Sequence, residues 1–259
     1  MSPLLALLLA AAPTVQRAEL TARTIDGVRV AIREIRPARP QPGVDPVILL
    51  HGARVPGIPS FDLSVPGGSL AEDLAVLTGA RVYVPDARGY GRSDRPAAMS
   101  RPPEESKPLS RSYEVVRDVD AVVRTVLART GAKQVTLLGW ATGGLWAGHY
   151  ASLWPERVGH VVLLNALYGG SAVHPMFGPG SSLADTAHPD RLSPSLGGYA
   201  RADAASILRP WDRALGEDPA RRDPAIAEAY VKEALASDPQ SARTKPPSLR
   251  SPLGALEDS

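Results

Sequence analysis

The 259-residue sequence contains no cysteine. This absence excludes a disulfide framework, a zinc site built from thiolates and a cysteine nucleophile, although it does not identify the compartment. The sequence also lacks any run of lysine and arginine interleaved with aromatic residues. Its formal net charge is only +2, and acidic and basic residues are interleaved along the chain, so nucleic-acid binding is not expected.

Long apolar runs are missing as well. The N-terminal run Leu4–Ala12 is too short to cross a membrane, so no transmembrane segment is predicted. It resembles the apolar region of an export signal with cleavage after Ala12 or Ala18, although no lysine or arginine precedes it. Residues 1–18 therefore have two interpretations, a signal peptide or a frayed N-terminal helix. We favour export to the periplasm or medium over a cytoplasmic location.

The composition that remains, 44% hydrophobic and 22% charged residues, is typical of a globular domain with a substantial core. Alternation from Glu19 to Ile35 around Asp26-Gly27 predicts a β-hairpin with a two-residue turn. Short apolar runs then predict buried strands at 46–50, 81–85, 135–138 and 161–164, and helical patterns lie between them. This alternation predicts an α/β fold with a mostly parallel sheet.

Two helix signals support this α/β pattern. Ser69 and Glu72 form a capping box before the first long helix, and Gly131 suits the end of the valine-rich helix that begins near 115.

Residues 19–166 are predicted to form the α/β core. Residues 167–259, rich in Gly, Ser and Pro and then in Ala with helices over 201–236, are predicted to form a cap or lid.

Three motifs follow predicted strands. The first is His51-Gly52, the second is the glycine-containing loop from Asp86 to Asp94, and the third is the segment from Gly139 to Gly143. Gly139 and Gly143 flank position 141 at the spacing of a nucleophile elbow, G-x-S-x-G. In such an elbow the central side chain projects from a strained strand-to-helix turn, and the helix directs N–H groups toward a developing oxyanion.

On these three motifs the chain resembles the α/β-hydrolase superfamily, in an esterase-like serine hydrolase branch with a helical cap. The resemblance implies oxyanion-hole donors at the N–H groups of Ala53 and Thr142. It also implies a pocket formed at the three strand ends, and neither a cofactor nor a metal is expected. The pocket residues implied are His51, Gly52, Gly139, Trp140 and Gly143.

The sequence departs from this family at the nucleophile, because Ala141 carries a methyl group that cannot attack a carbonyl. No strand followed by a triad acid is recognised after residue 164, and the last histidine is His188. We therefore expect a sheet truncated before its last two strands and an inactive chain. The strand at 161–164 would then form an exposed edge through which the chain could self-associate.

Two functions remain open at this stage. The first is an esterase-type hydrolase site that is dead or impaired in this chain, and the second is a non-catalytic pseudo-hydrolase that binds a ligand or partner. A small ester or apolar molecule is the expected ligand in both cases. The aromatic and apolar residues expected to contact it from the cap are also natural packing residues: Tyr168, Met176, Phe177 and Trp211.

A structural role is favoured over catalysis for two further groups. His51 is expected to support the loop that follows its strand rather than to act as a base. Asp86 and Asp94 are expected to brace the loop between them through backbone N–H groups.

Overall fold

The computed structural model describes residues 15–166, 183–188, 193, 195–216, 218 and 221–254. Residues 1–14 of the predicted export signal lie outside the described residues, as do Tyr168, Met176 and Phe177. Residues 15–18 belong to the first strand and not to a frayed helix, so the core begins before residue 19. The strands are β1 (Val15–Arg23), β2 (Arg29–Pro37), β3 (Val47–Leu50), β4 (Val82–Pro85), β5 (Val135–Trp140), β6 (Val158–Leu164), β7 (Tyr199–Ala202) and β8 (Leu249–Pro252). The α-helices are α1 (Gly57–Phe61), α2 (Leu70–Thr78), α3 (Ser112–Thr130), α4 (Thr142–Leu153), α5 (Ala204–Ala214) and α6 (Pro224–Ala236).

The main sheet has six strands in the order β1-β2-β4-β3-β5-β6. Strand β2 runs antiparallel to both β1 and β4, whereas β3, β4, β5 and β6 are mutually parallel. Strands β3 and β4 are short, apolar and almost wholly buried because helices cover both faces of the sheet. The predicted α/β fold with a mostly parallel sheet is confirmed.

The predicted N-terminal hairpin is confirmed, but its turn differs from the prediction. The N–H of Gly27 bonds to the carbonyl of Thr24 at 3.0 Å, so Ile25 and Asp26 are the central residues of the turn. Gly27 follows them with φ of 85°. This is a three-residue loop, in which a glycine with positive φ realigns the second strand, and not a two-residue Asp26-Gly27 turn.

Helices α3 and α4 pack on one face of the sheet, and α1 and α2 pack on the other. The valine stripe of α3 is buried against the sheet, and Gly131 ends the helix with φ of 73°, as its sequence predicts. At the start of α2, the Ser69 hydroxyl accepts the N–H of Glu72 at 3.0 Å. The Ser69 half of the predicted capping box is therefore confirmed, whereas the Glu72 carboxylate accepts a hydrogen bond from Arg17.

The C-terminal segment, residues 199–216 and 221–254, contains the helices α5 and α6 and also a two-stranded antiparallel sheet of β7 and β8. The sequence analysis did not predict this second sheet. The segment packs through a third apolar cluster on the stretch after β3, where Val55 and Leu63 meet Ile207, Tyr230 and Leu249. Burial of that cluster fastens the segment above the carboxyl end of β3.

A buried ion pair strengthens this attachment. Nε of Arg250 donates to Asp238 at 2.8 Å, both side chains are at most 2% exposed, and Arg250 also donates to the carbonyl of Met99. Burial alone would raise the pKa of the Asp238 carboxyl, but hydrogen bonds, above all from Arg250, outweigh it and hold that pKa below its ordinary value. The pair therefore joins β8 and the end of α6 to the loop after β4.

Strand β6 lies at the edge of the six-stranded sheet and pairs with β5 alone among the strands of the described residues. Its side chains from Val161 to Leu164 are 39–51% exposed. Uncharged apolar residues on an edge strand leave a template for strand pairing.

No helix in the described part of the chain is long and apolar enough to cross a membrane.

Candidate active site

The site is built around Ala141, the single residue between the end of β5 and the start of α4. Its backbone angles are φ 51° and ψ −119°, a combination that residues with a Cβ rarely adopt. The Ala141 N–H donates to the carbonyl of Leu164 at the end of β6, at 3.1 Å. The Gly144 N–H donates to the Ala141 carbonyl at 3.0 Å and starts the helix. Ala141 thus occupies the apex of a strained strand-to-helix turn.

The two glycines flanking this apex are needed because backbone passes too close to them for a side chain. A Cβ on Gly139 would lie 2.4 Å from the carbonyl oxygen of Gly143. A Cβ on Gly143 would lie 2.1 Å from the carbonyl oxygen of Leu50, the last residue of β3. The glycine spacing found in the sequence therefore has a direct steric cause.

The apex faces the loop that follows β3. A Cβ built on Gly52 would stand 3.4 Å from the Ala141 Cβ, so the two residues are neighbours across the site. The Ala53 carbonyl accepts the hydroxyl of Tyr90 at 2.6 Å, which fixes this loop. Thr142 is buried and opens α4, whose first N–H groups lack intrahelical acceptors.

His51 is buried and both of its ring nitrogens are engaged. Nε2 accepts the N–H of Ala87 at 3.1 Å, so Nδ1 carries the proton and donates to the Gly52 carbonyl at 2.7 Å. Tyr90 and Trp146 pack against the ring edge-on, with centroids 4.8 and 5.6 Å away. Burial lowers the pKa of His51, which keeps the imidazole neutral. This arrangement supports the loop and leaves no nitrogen ready to act as a base.

The loop after β4 is braced by its two aspartates, as predicted. Asp86 accepts the N–H of Gly57 at 2.8 Å and that of Arg92 at 3.0 Å. Asp94 accepts the N–H of Arg29 at 2.8 Å, which ties the loop to β2. Both carboxylates serve backbone donors, as the interpretation of loop bracing requires.

Arg88, in the same loop, forms an ion-pair network behind the site. Its guanidinium donates to Asp118 of α3 at 2.8 Å and to Asp26 of the hairpin turn at 2.8 Å. Burial lowers the pKa of Arg88, but the hydrogen bonds to the two carboxylates outweigh burial and raise it above the ordinary value. The loop is therefore locked to both the hairpin and α3.

Other predicted pocket residues lie in packing positions. Trp140 packs on the α1–α2 side, with its ring 6.3 Å from that of Phe61. Trp211 stacks on Tyr230 at 5.1 Å within the C-terminal segment. A cavity of about 450 Å³ lies along α4 beside Gly148 and Leu163, and Ala141 is not among its lining residues. Within the described residues, no group of three or more His, Asp or Glu side chains could hold a metal.

The sequence analysis missed Tyr90 and Trp146 as contacts of His51, and Arg54 as a link between the β3 loop and α5. Tyr90 lies within the Arg-Gly-Tyr-Gly stretch of the second motif, which was the available signal. Trp146 and Arg54 carry no local pattern, because their positions depend on how α4 and the C-terminal segment pack.

The class of protein is defined by an elbow at the end of the parallel strand β5, with the start of α4 on one side of it and the β3 loop on the other. The chain belongs to the α/β-hydrolase fold family, whose model matches residues 45–224. It is 30% identical over 126 residues to a triacylglycerol lipase of Pseudarthrobacter phenanthrenivorans, covering 49% of this chain and 34% of the lipase. It is also 30% identical over 134 residues to a 2-hydroxy-6-oxononadienedioate/2-hydroxy-6-oxononatrienedioate hydrolase of Klebsiella pneumoniae, covering 51% and 39%.

The chain thus spans about a third of the length of these curated relatives. Among solved structures, an α/β hydrolase of Novosphingobium aromaticivorans is similar with a TM-score of 0.52 and 17% identity, covering 93% of this chain and 69% of that one. An esterase of Rhodococcus sp. is similar with a TM-score of 0.51 and 24% identity, covering 86% and 70%. These structural similarities support the fold alone.

Proposed function

We propose that this chain carries an esterase-type serine hydrolase site in which Ala141 stands at the nucleophile position, so that the chain binds an ester or related carbonyl ligand without cleaving it. The observation that carries the proposal is the apex geometry of Ala141, with φ 51° and ψ −119° between β5 and α4. Such a turn presents its side chain to a ligand, and here that side chain is a methyl group without a nucleophilic atom.

The electrostatic half of the site is retained in this proposal. The N–H groups of Thr142 and Ala53 are the oxyanion donors, one at the start of α4 and the other on the loop facing it. Donors fixed in advance by the backbone bind a carbonyl oxygen or its anionic analogue at little cost in reorganisation. The Tyr90 hydroxyl supports this function by holding the carbonyl of Ala53 at 2.6 Å.

The ligand is proposed by class only. The names of the relatives point to a triacylglycerol for the lipase and to a dicarboxylate for the Klebsiella hydrolase. We propose a small ester or apolar carbonyl compound as the ligand class, because an ester carbonyl is the group that the proposed oxyanion donors would bind. We further propose that the C-terminal segment serves as the cap, since it packs on residues that directly follow the β3 loop.

A fluorophosphonate probe tests the absence of a nucleophile. The unmodified chain is expected to remain unlabelled, because Ala141 offers no oxygen and Thr142 is buried at the start of α4. Stoichiometric labelling of any residue near the apex would refute the proposal.

The variant Ala141→Ser tests the base. Because both nitrogens of His51 are already hydrogen-bonded, we expect no more than the slow residual hydrolysis that an oxyanion hole and binding supply. The matched control is Ser152→Ala, which changes a hydroxyl on the same helix, away from its N-terminus. Efficient turnover by Ala141→Ser, measured with p-nitrophenyl acetate, would reveal a base that the proposal omits.

A non-catalytic pseudo-hydrolase, whose role is ligand or partner binding, is the second candidate. The same alanine favours it, because the elbow keeps its shape while losing its reactive atom. Saturable, reversible binding of a stable phosphonate ester by the unmodified chain would fit both candidates. Efficient turnover in Ala141→Ser would favour the hydrolase, whereas the slow residual hydrolysis expected above fits both candidates.

A further inference from the structure

Arg54 lies where the β3 loop meets the C-terminal segment. Its Nη1 donates to the carbonyl of Ser206, in the first turn of α5, at 2.8 Å. Its own carbonyl accepts the Ser251 hydroxyl at 2.7 Å, and Tyr90 holds the preceding carbonyl. The backbone is therefore fastened on both sides of the loop, and the half-buried guanidinium has a defined position.

Arg54 is held differently from the other arginines removed from water in the described chain. Arg95, also half-buried, bonds only backbone carbonyls but has three of them, whereas Arg54 has one. Arg88 is bidentate to Asp118, and Arg250 is bidentate to Asp238. Among the described residues, no carboxylate lies within ion-pair distance of Arg54, and its one hydrogen-bond acceptor is a neutral carbonyl. A guanidinium has five N–H donors, so most of the donor capacity of Arg54 is left for another group.

A second arginine adds to the positive charge at this place. Arg209, one turn further along α5, directs Nη2 toward the Ser206 hydroxyl at 3.4 Å and is exposed. Burial lowers the pKa of Arg54, and the neighbouring charge of Arg209 lowers it further, while Tyr230 acts in the opposite direction. A partly buried charge is normally paired, so the Arg54 guanidinium, with a second cation beside it and no carboxylate within ion-pair distance among the described residues, suits an anion as its remaining partner.

We propose that Arg54, assisted by Arg209, binds a carboxylate on the ligand whose carbonyl lies at the Ala141 apex. This inference rests on the proposed function and narrows its ligand to a half-ester of a dicarboxylic acid. Arg54 follows Gly52 by two residues, and Gly52 is the neighbour of Ala141 across the site. Two residues span at most about 7 Å, so the Arg54 backbone lies beside the loop residue that faces the apex. The planar fork of the Arg54 guanidinium suits a carboxylate in bidentate geometry.

The inference is tested by comparing the binding of one charged analogue and one neutral analogue. Monomethyl glutarate and dimethyl glutarate are titrated into the full chain at low salt, and binding is followed by calorimetry. Neither compound is expected to be cleaved, because Ala141 supplies no nucleophile. The monoanion should bind at least ~10-fold more tightly than the diester, as expected for a charge-assisted bidentate contact. Arg54→Gln should abolish that preference, Arg209→Gln should reduce it, and Arg213→Gln, an exposed arginine on the same helix, should leave it unchanged.

The outcomes separate the inference from the function on which it rests. Equal binding of both compounds, or a preference that survives Arg54→Gln, overturns the carboxylate site and leaves the carbonyl-binding site standing. Binding of neither compound overturns both. A melting curve shows whether Arg54→Gln folds, and if it does not, the exposed Arg209→Gln decides, because an unchanged preference in that variant counts against the site.

Discussion

Removing one partner of the Arg250–Asp238 pair should destabilise the chain strongly. In Asp238→Asn, the buried guanidinium loses its counter-charge and keeps the Met99 carbonyl. Leaving one member of a buried ion pair unpaired costs about 3–5 kcal/mol, which is a large part of the stability of an ordinary domain. The measurement is urea unfolding followed by tryptophan fluorescence, because Trp211 lies in the same C-terminal segment.

The control is Arg124→Gln, which removes an ion pair whose arginine is 50% exposed and which should change the free energy of unfolding by less than about 1 kcal/mol. The double variant Asp238→Leu with Arg250→Met should recover only part of the loss. An apolar pair needs no counter-charge, but the N–H groups of Gln240 and Arg250 lose the carboxylate that accepts them. A loss below about 1 kcal/mol in Asp238→Asn would show that the pair does not hold the segment in place.

The same pair predicts a dependence on pH. The folded state holds the pKa of Asp238 below its ordinary value, so the stabilisation is complete above the unfolded value of about 3.9. It is lost as the pH falls through the lower, folded pKa. Asp238→Asn should therefore lose part of the acid sensitivity of the parent chain below about pH 4.

Three further predictions concern the site and the sheet edge. Gly143→Ala should destabilise the chain by about 1–3 kcal/mol in urea unfolding, because its Cβ would collide with the carbonyl of Leu50; a neutral result would mean that the elbow can relax. Because the pKa of His51 is lowered in the folded state, the free energy of unfolding should decline as the pH falls below about 6.5. A His51→Gln variant whose free energy of unfolding declined with pH in the same way would contradict the assignment of this effect to His51. We propose self-association through β6, which sedimentation would detect; Val162→Lys should abolish it, whereas Leu77→Lys on α2 should not, and a monomer at every concentration would refute it.

The local patterns of the core were sufficient to predict its fold. The apolar runs that form β3, β4 and β5 lie within one or two residues of their predicted positions, because strands buried on both faces allow few polar residues. Glycines 139 and 143 predicted the elbow for an equally local reason, namely backbone contact. The hairpin turn was misjudged because Asp-Gly suits either a two-residue or a three-residue loop, and strand register decides between them.

The parts that could not be predicted depend on contacts between distant residues. Strand β8 contains Arg250 and Ser251 and has no apolar alternation; its burial depends on Asp238 and on the loop near Met99. Similarly, Arg54 acquires its position from α5, which lies about 150 residues further along the chain. Neither the contacts of β8 nor that of Arg54 can be predicted from the residues adjacent to them in the sequence.

The hydrogen bond from the Ala141 N–H to the Leu164 carbonyl joins the elbow to the edge strand β6. A strand that paired with the outer side of β6 would restrict the same residues that hold the elbow in its unusual conformation. Occupancy of the edge and ligand affinity at the apex would then be thermodynamically linked, and each would change the other by the same factor. Assembly at an apolar edge would in that case be a means of adjusting how tightly the elbow binds.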